Sequence, residues 1–293
     1  MTRWAILGAA LLAFAGCAQP EPRYVVGDPY RLGGVWSYPK EDFTLTETGL
    51  AEVLPAPLLG GQTANGEILS AHGLTAAHRS LQLPAIIRVT NLENGRSMLL
   101  RVNDRGPEKR GRILGVSPRA AVLLGMVPGQ ATRIALEVDA ERSRAAMLGL
   151  SGSEPAPIAI AAAPRAAVMR EDLAPLPGTR EAPRREVQPL PSAGAGLENA
   201  PQTRRAIEAL PAAVIQGPAR PGMLMVEVGQ FFRADAAQAL AARLPGARIS
   251  QQGRGRNAVF RVSLGPFADV AAADLALERT LAAGVSGSRI VLD

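Results

Sequence analysis

The sequence predicts a multi-domain protein in which a strand-rich domain and a smaller α+β domain are joined by a disordered linker. A chain of 293 residues with 24 prolines and 30 glycines has room for two folded units and for segments without regular structure. Alternating apolar runs fill much of the first half, and a β-α-β-β-α-β pattern follows residue 221. A stretch rich in proline, alanine and arginine separates the two.

The first residues, MTRWAILGAALLAFAGC, have the layout of an export signal. A basic Arg3 precedes the apolar run Ala5 to Ala15, which is too short to span a bilayer because a spanning helix needs about 20 residues. We therefore expect a signal peptide over residues 1–16 and a polar, extended tether over residues 17–47.

Small residues precede Cys17, the only cysteine in the chain. The run FAGC resembles a bacterial lipobox, which implies that the Cys17 thiol carries a diacylglycerol and the mature protein is palmitoylated. The alternative is an incidental cysteine in a cleaved signal. Ala18 after the cysteine resembles the sorting signal of outer-membrane lipoproteins, so the expected location is the periplasmic side of the envelope, with the lipid in the outer membrane or in the cell membrane.

Residues 48–140 carry strand and tight-turn signals. The runs AIIRVTNL and RSMLLRVND flank ENG and predict a β-hairpin, because Asn94-Gly95 tolerates positive φ between two alternating runs. The run SPRAAVLLGM predicts one short helix with Ser117 as N-cap, a proline at its first position and Gly125 near its end. The run ATRIALEV predicts the last strand of the unit.

Residues 141–220 repeat proline, alanine and arginine with little periodicity, which predicts a linker that cannot bury enough apolar surface to fold. Residues 221–293 regain regular patterns. The order of strands and helices there is the split ferredoxin-like arrangement, in which two helices cover one face of a sheet.

The formal charge of +6 and a pI near 10.3 raise the question of nucleic-acid binding. The basic residues are scattered and no recognition motif accompanies them, so no nucleic-acid partner is expected. The chain has two histidines and no cluster with metal-ligand spacing, so neither a metal nor another cofactor is expected. Aromatic residues make up 4%, which argues against a long sugar-stacking groove.

Several motifs in the first domain occur in a fixed order: TANGE, LTAAHRSLQLP, RVTNLENGRS, RVNDRGP and SPRAAVLLGM. Together they resemble the rare lipoprotein A family. The resemblance implies a small six-stranded double-psi β-barrel and the activity of a septal lytic transglycosylase. The runs VEVGQFF and FRVSLGPF resemble the SPOR domain, a module that recognises glycan strands stripped of stem peptides at the division septum.

Cleavage of a β-glycosidic bond requires a carboxylic acid that is still protonated near neutral pH. In the run LLRVNDRGPEKRGRI, alternation puts Asp104 in phase with Met98, Leu100 and Val102, at the edge of an apolar face. Burial there would raise the pKa of Asp104, whereas the arginines around it would lower that pKa if they point inward. A third possibility is a turn residue that closes the strand before Gly106.

The family resemblance implies that His78 and Glu67 support Asp104. The alternatives are a structural hydrogen-bonding histidine and a solvated turn carboxylate. The same motifs supply the candidate substrate-binding residues Thr63, Asn65, Asn103 and Arg105.

The expected reaction transfers a proton from Asp104 to the leaving oxygen while the hydroxyl of the muramic acid attacks the anomeric carbon, leaving anhydro-muramyl ends. The substrate would be peptide-stripped glycan, cut endolytically, with proteins of the division machinery as possible partners. Two positions depart from the family: AEVLPAP replaces an aromatic stretch, and Gly115 replaces an aspartate. The alternative function is a glycan-binding envelope lipoprotein that acts in cell division without cleaving.

Overall fold

A computed structural model describes residues 21–150 and 210–293 of the chain. The predicted signal peptide, Cys17 and the part of the predicted linker over 151–209 lie outside the described residues. Within the two described ranges, no helix is long and apolar enough to cross a membrane.

The predicted tether contains a short antiparallel hairpin, β1 (Tyr30–Leu32) and β2 (Val35–Ser37). The hairpin is fastened to the domain that follows it. The Tyr30 hydroxyl donates a hydrogen bond of 2.9 Å to the carbonyl of Arg79, and the Arg79 guanidinium donates one of 3.1 Å to the carbonyl of Leu32.

Six strands close into a barrel, as predicted. In chain order they are β3 (Thr46–Val53), β4 (Thr75–His78), β5 (Ala85–Asn91), β6 (Arg96–Asp104), β7 (Arg112–Val116) and β8 (Thr132–Val138). They pair in the order β4-β7-β3-β8-β5-β6, and a parallel pairing of β4 with β6 closes the ring. The pairing of β3 with β7 is also parallel, and the other pairings are antiparallel.

Aliphatic side chains from all six strands fill the barrel, including the fully buried Ile87, Leu100, Leu114 and Ile134. Each such side chain contributes about 1.5–3 kcal/mol through burial. The chain supplies few aromatic residues, and the core is built from leucine, isoleucine, valine, alanine and two methionines.

The predicted short helix is α1 (Pro118–Leu124), which lies between β7 and β8. Gly125 ends it with a φ of +69°, a left-handed conformation that glycine adopts without strain. Ser117 precedes the helix, but its hydroxyl donates to the carbonyl of Gly73 at 2.7 Å and does not cap the helix. The side chain therefore joins α1 to the loop before β4.

Two elements fall in the range that the sequence assigns to the linker: α2 (Ala140–Leu150) and β9 (Ile215–Gln216). The Ser143 hydroxyl on α2 donates to the carbonyl of Ile86 and accepts from its N–H group, at 3.1 and 2.9 Å. Strand β9 pairs with the start of β6. Sequence periodicity does not predict α2 because its buried contact is this polar residue and not an apolar stripe.

The C-terminal domain has the predicted β-α-β-β-α-β order. Its elements are β10 (Leu224–Phe231), α3 (Ala234–Ala241), β11 (Arg248–Gln252), β12 (Val259–Phe267), α4 (Val270–Ala282) and β13 (Arg289–Leu292). The sheet is antiparallel with the order β11-β12-β10-β13, which is the ferredoxin-like order.

The barrel and the C-terminal domain are in contact and belong to one unit. The guanidinium of Arg112, on β7, donates two hydrogen bonds of 2.7 Å to the carboxylate of Asp274, on α4. The Thr48 hydroxyl donates to the carbonyl of Leu292 at 3.1 Å. Leu50 on β3 is fully buried among the apolar side chains of the C-terminal domain. The contact thus combines apolar burial with a charge pair.

Replacing Asp274 by alanine removes the carboxylate that pairs with the guanidinium of Arg112, whose side chain is 2% exposed. Loss of one partner of a fully buried pair costs 3–5 kcal/mol, and because Asp274 is partly exposed we expect about 2 kcal/mol. Urea unfolding of the chain measures this. Glu278→Ala is the control on the same helix: its pair with Arg110 is exposed, so we expect a change below about 0.5 kcal/mol. Equal losses of stability in the two variants would contradict the conclusion that the buried pair of Arg112 and Asp274 stabilises the contact between the domains.

Candidate active site

A β-bulge sets the direction of Asp104. In the pairing of β4 with β6, Ala76 lies opposite Val102, but Ala77 lies opposite Asp104, so the register shifts by one residue. Ala76 packs in the barrel core, whereas Ala77 packs in a separate cluster outside it. The shift therefore takes Asp104 out of phase with Val102, contrary to the simple alternation expected from the sequence.

The carboxylate of Asp104 accepts two backbone hydrogen bonds. Its Oδ1 atom accepts from the N–H of Ala64 at 2.9 Å and from the N–H of Arg105 at 2.8 Å. A turn that closed the strand locally would use the N–H of Gly106. The bond from Ala64 instead ties Asp104 to a loop 40 residues earlier in the chain.

The arginines near Asp104 have other partners. The Arg105 guanidinium donates to the carbonyls of Leu81 and Val26. Arg101 pairs with Glu67. Among the described residues, no arginine side chain forms a hydrogen bond with the Asp104 carboxylate. Arg101 and Arg105, which lie next to Asp104 in the sequence, therefore direct their guanidinium groups to partners other than its carboxylate.

Burial raises the pKa of Asp104 above its ordinary value. The hydrogen bonds from the N–H groups of Ala64 and Arg105 and the positive charge of Arg105 act in the opposite direction, but burial outweighs them. The carboxyl group therefore keeps its proton to higher pH than a solvated aspartic acid does.

Asp104 lies at a surface cavity of about 680 Å³. The other lining residues are Glu21, Arg23, Gln62, Thr63, Ala64 and Gly66. The predicted residue Thr63 thus shares the cavity with Asp104, and the N-terminal arm contributes Glu21 and Arg23. Backbone hydrogen bonds attach the arm to the barrel, among them that from the Arg23 N–H to the Asn65 carbonyl, at 2.8 Å.

Glu67 is buried and fully hydrogen-bonded. Its Oε1 atom accepts from Arg101 Nε and Nη2, at 2.9 and 2.7 Å, and from Asn65 Nδ2 at 2.8 Å. Its Oε2 atom accepts from Asn103 Nδ2 at 2.7 Å. Burial alone would raise the pKa of Glu67, but the Arg101 hydrogen bonds and charge, with those of Asn103 and Asn65, hold it below its ordinary value.

The Glu67 network fixes the loop that holds Asp104. Asn65 Oδ1 accepts from the Thr63 hydroxyl at 2.8 Å and from the Glu67 N–H at 3.2 Å, and Gly66 turns the chain at a φ of +92°. Residues 63–67 are thereby tied to β6, and the N–H of Ala64 is held toward Asp104. The structure thus brings together five of the predicted residues: Thr63, Asn65, Glu67, Asn103 and Asp104. The Glu67 carboxylate is buried and anchors the loop, so it is not a solvated turn carboxylate.

His78 occupies a different position. Its Nδ1 atom accepts from the N–H groups of Ser80 and Leu81, at 3.3 and 3.1 Å. Its Nε2 atom lies 3.5 Å from a carboxylate oxygen of Glu47. The side chain is buried and lines a second cavity of about 380 Å³ that shares no lining residue with the Asp104 cavity. The structure therefore does not bring His78 into contact with Asp104.

The register also places Gly115 and Glu52 in line with Asp104. Ala77 pairs with both Asp104 and Gly115, and Gly115 pairs with Glu52. A Cβ atom at position 115 would stand 2.6 Å from Cδ2 of Leu54, which is buried. Leu54 thus occupies the space beside Gly115. The two residues that lie between Asp104 and Glu52 in the strand register are Ala77 and Gly115. Burial also raises the pKa of Glu52, a residue the sequence did not single out as a candidate site residue.

Within residues 21–150 and 210–293, no group of three or more histidine, cysteine, aspartate or glutamate side chains is arranged to hold a metal ion. The cavity offers the partly buried carboxyl group of Asp104, which accepts from two backbone N–H groups, together with the side chains of Glu21 and Arg23.

Two family descriptions match the chain. One described as lytic transglycolase matches residues 51–138, and one described as SPOR domain matches residues 221–290. The fold and the site therefore define a protein with a double-psi β-barrel of the lytic transglycosylase class followed by a SPOR domain.

The chain is 34% identical over 260 residues to the endolytic peptidoglycan transglycosylase RlpA of Pseudomonas aeruginosa, a match that covers 85% of this chain and 71% of the relative. It is 34% identical to the protein of that name from Vibrio cholerae, over 44% of this chain and 60% of the relative. The crystal structure of the RlpA SPOR domain from Pseudomonas aeruginosa matches at 28% identity and a TM-score of 0.23, over 24% of this chain and 99% of that one. The chain belongs to the RlpA family, and the resemblance to rare lipoprotein A is confirmed.

Replacing Glu67 by glutamine leaves the buried guanidinium of Arg101 without a counter-charge, and we expect the free energy of unfolding at pH 7 to fall by about 3 kcal/mol or more. Because the pKa of folded Glu67 lies below the ordinary value of 4.5, its stabilising effect is complete above pH 4.5 and is lost as the pH falls through the folded pKa. Urea unfolding at a series of pH values measures the difference between wild type and variant.

That difference is expected to shrink in acid. Glu141→Gln, at an exposed position on α2, is the matched control and is expected to change stability little at any pH. A Glu67→Gln variant as stable as Glu141→Gln at pH 7 would contradict the role given to the network.

Proposed function

We propose that the chain is an endolytic peptidoglycan lytic transglycosylase that cleaves glycan strands stripped of stem peptides, with Asp104 as its acid and base. The observation that carries the proposal is a carboxyl group with a raised pKa at the edge of an open cavity, in a barrel of the lytic transglycosylase class. The curated relatives named endolytic peptidoglycan transglycosylase support the reaction and the substrate.

In the proposed reaction, protonated Asp104 donates its proton to the glycosidic oxygen as the bond to the anomeric carbon breaks. The hydroxyl of the same muramic acid attacks that carbon and closes an anhydro ring. The hydroxyl proton returns to the Asp104 carboxylate, so the enzyme ends in its starting state and no water is consumed. The N–H groups of Ala64 and Arg105 stabilise the carboxylate while it is ionised.

The placement of Glu52 argues against hydrolysis by a pair made of Asp104 and Glu52. Glu52 lies three strand steps from Asp104 around the closed barrel and is not among the residues that line the Asp104 cavity. Inverting and retaining glycosidases bring both carboxyl groups to one site, at roughly 6.5–9.5 and 5–5.5 Å. The proposed reaction needs one acid because the substrate supplies the nucleophile.

The supporting residues act through position. Glu67, Asn65 and Asn103 hold the loop that carries Ala64, and Thr63 lines the cavity. His78 fastens the turn at Ser80 and Leu81. A variant at His78 should therefore lower activity without changing the shape of the pH profile.

We further propose that the mature protein is a lipoprotein. A diacylglycerol on Cys17 and a further acyl chain anchor it on the periplasmic side of the outer membrane, after removal of residues 1–16. The SPOR domain gathers it at the division septum, where proteins of the division machinery are its partners. The lipobox-like run before Cys17 and the match to the SPOR domain support this location.

Asp104→Asn removes the transferable proton, so we expect at least a 100-fold loss of anhydro-ended products from amidase-treated sacculi. Residues 18–293 are incubated with the sacculi and the products are identified by mass spectrometry. Because the donor must be protonated and its pKa is raised, the wild-type rate should fall as the pH rises through a value above that of a solvated aspartic acid.

Asp28→Asn, at an exposed position, is the control and should keep the wild-type rate and profile. Sacculi that pellet with the protein but release no anhydro ends would instead support the alternative of a glycan-binding protein that does not cleave.

The SPOR domain gives a separate prediction. Residues 221–293, fused to a fluorescent protein and exported to the periplasm, should collect at constricting division sites. The measurement is the ratio of fluorescence at the septum to that along the side wall. A uniform signal around the envelope would contradict septal targeting by this domain.

A further inference from the structure

The hairpin of the N-terminal arm presents two aromatic side chains to solvent. Trp36 is 57% exposed and Tyr38 is 65% exposed. Positions 36 and 38 alternate with the buried Ser37, so both rings lie on the same side of the strand. The chain has two tryptophans, and Trp4 falls in the predicted signal peptide, so Trp36 is the sole tryptophan expected in the mature protein. A protein with so few aromatic residues leaves its tryptophan outside the core.

The backbone beneath these rings is held firmly. The Arg110 Nε atom donates to the carbonyl of Gly33 at 2.8 Å, and the Arg79 guanidinium donates to the carbonyl of Leu32 and to the Ser37 hydroxyl, at 3.1 and 3.3 Å. The Lys40 N–H donates to the Ser80 carbonyl at 2.9 Å. The aromatic side chains are thus presented from an anchored strand, and binding on them requires little ordering of the backbone.

Trp36 and Tyr38 border the crevice of about 380 Å³ that His78 and Glu47 also line. Its volume lies in the range of small-ligand sites, about 300–1,000 Å³. On the other side the crevice is lined by residues of the C-terminal domain, among them Arg289. Aromatic faces next to a concavity with hydrogen-bonding groups form a site for a flat ring that carries hydroxyl groups.

Four of the five lysine and arginine side chains that line the crevice pair with carboxylates, and the fifth, Arg79, donates to backbone carbonyls. Lys40 pairs with Asp42 at 2.9 Å, Arg110 with Glu278 at 2.9 Å and Arg289 with Glu227 at 2.9 Å. An anionic membrane surface is attracted by unpaired lysine and arginine side chains. Paired charges in a concave site favour a neutral ligand.

We propose that this crevice, the Trp36 crevice, binds a neutral N-acetylglucosamine unit of a glycan strand by stacking its ring on Trp36 and Tyr38. The proposal rests on the proposed function for the choice of ligand, because a protein that acts on peptidoglycan meets this sugar along the strand. It gives the barrel a second sugar site that shares no residue with the Asp104 cavity.

The test uses the fluorescence of Trp36 in residues 18–293, where it is the sole tryptophan. Titration with chitotetraose, a neutral N-acetylglucosamine tetrasaccharide, should shift the emission to shorter wavelength and saturate at millimolar concentration or below. Tyr38→Ala should weaken the affinity about tenfold, equivalent to 1.4 kcal/mol. Val122→Ala removes an exposed apolar side chain outside the crevice and should leave the affinity unchanged.

The Asp104→Asn variant separates the proposal for the Trp36 crevice from the proposal of catalysis. Its fluorescence titration should match that of wild type whether or not the protein cleaves glycan. Two results would overturn the Trp36 crevice. One is an emission spectrum that does not respond to chitotetraose at millimolar concentration. The other is a response to phosphatidylglycerol vesicles and none to the tetrasaccharide, which would make the aromatic pair a membrane contact.

Discussion

The buried carboxylate of Glu67 is the interaction on which the Asp104 site depends. It joins a loop, residues 63–67, to strand β6 through Arg101 and Asn103. Burying the Arg101 guanidinium is costly unless it is paired, and the pair is accompanied by enough amide hydrogen bonds to occupy both carboxylate oxygens. Because the loop is held in this way, the N–H of Ala64 faces Asp104 at 2.9 Å. The ionised carboxylate of Glu67 thus positions the loop whose N–H group bonds to the Asp104 carboxylate.

The two carboxylates show how environment separates their proton affinities. Both are removed from water, which by itself raises the pKa of each. Glu67 faces a guanidinium, and its pKa falls. Asp104 receives two backbone N–H donors, and the neighbouring guanidinium of Arg105 is turned toward carbonyl groups, so burial dominates. Two acids within one small region of the barrel thereby have pKa values shifted in opposite directions.

Local signals in the sequence were sufficient for most of the elements of the two domains, though not for α2 or β9, and they were not sufficient for the site. The helix Pro118–Leu124 and the β-α-β-β-α-β order follow from periodicity and from end signals such as Gly125, which act over a few residues. The direction of Asp104 depends on the register between β4 and β6, which are more than 20 residues apart in the chain. The partners of the arginines also depend on tertiary contacts: Arg112 pairs with Asp274, 162 residues away. No local pattern in the sequence specifies such a pair.

The departure at Gly115 has a structural explanation that bears on the chemistry. Leu54 comes from the stretch AEVLPAP, which replaces the aromatic run of relatives, and it fills the space next to Gly115. The aliphatic residue at position 54 and the glycine at position 115 therefore belong to one packing arrangement. A side chain at position 115 would collide with Leu54. Leu54 packs with Ala77, the residue that lies opposite Asp104 on β4, so this side of the Asp104 backbone is apolar. An aspartate at position 115, which the family resemblance would lead one to expect, does not fit beside Leu54 as it is placed, and the proposed reaction does not need it because the substrate carries the nucleophile.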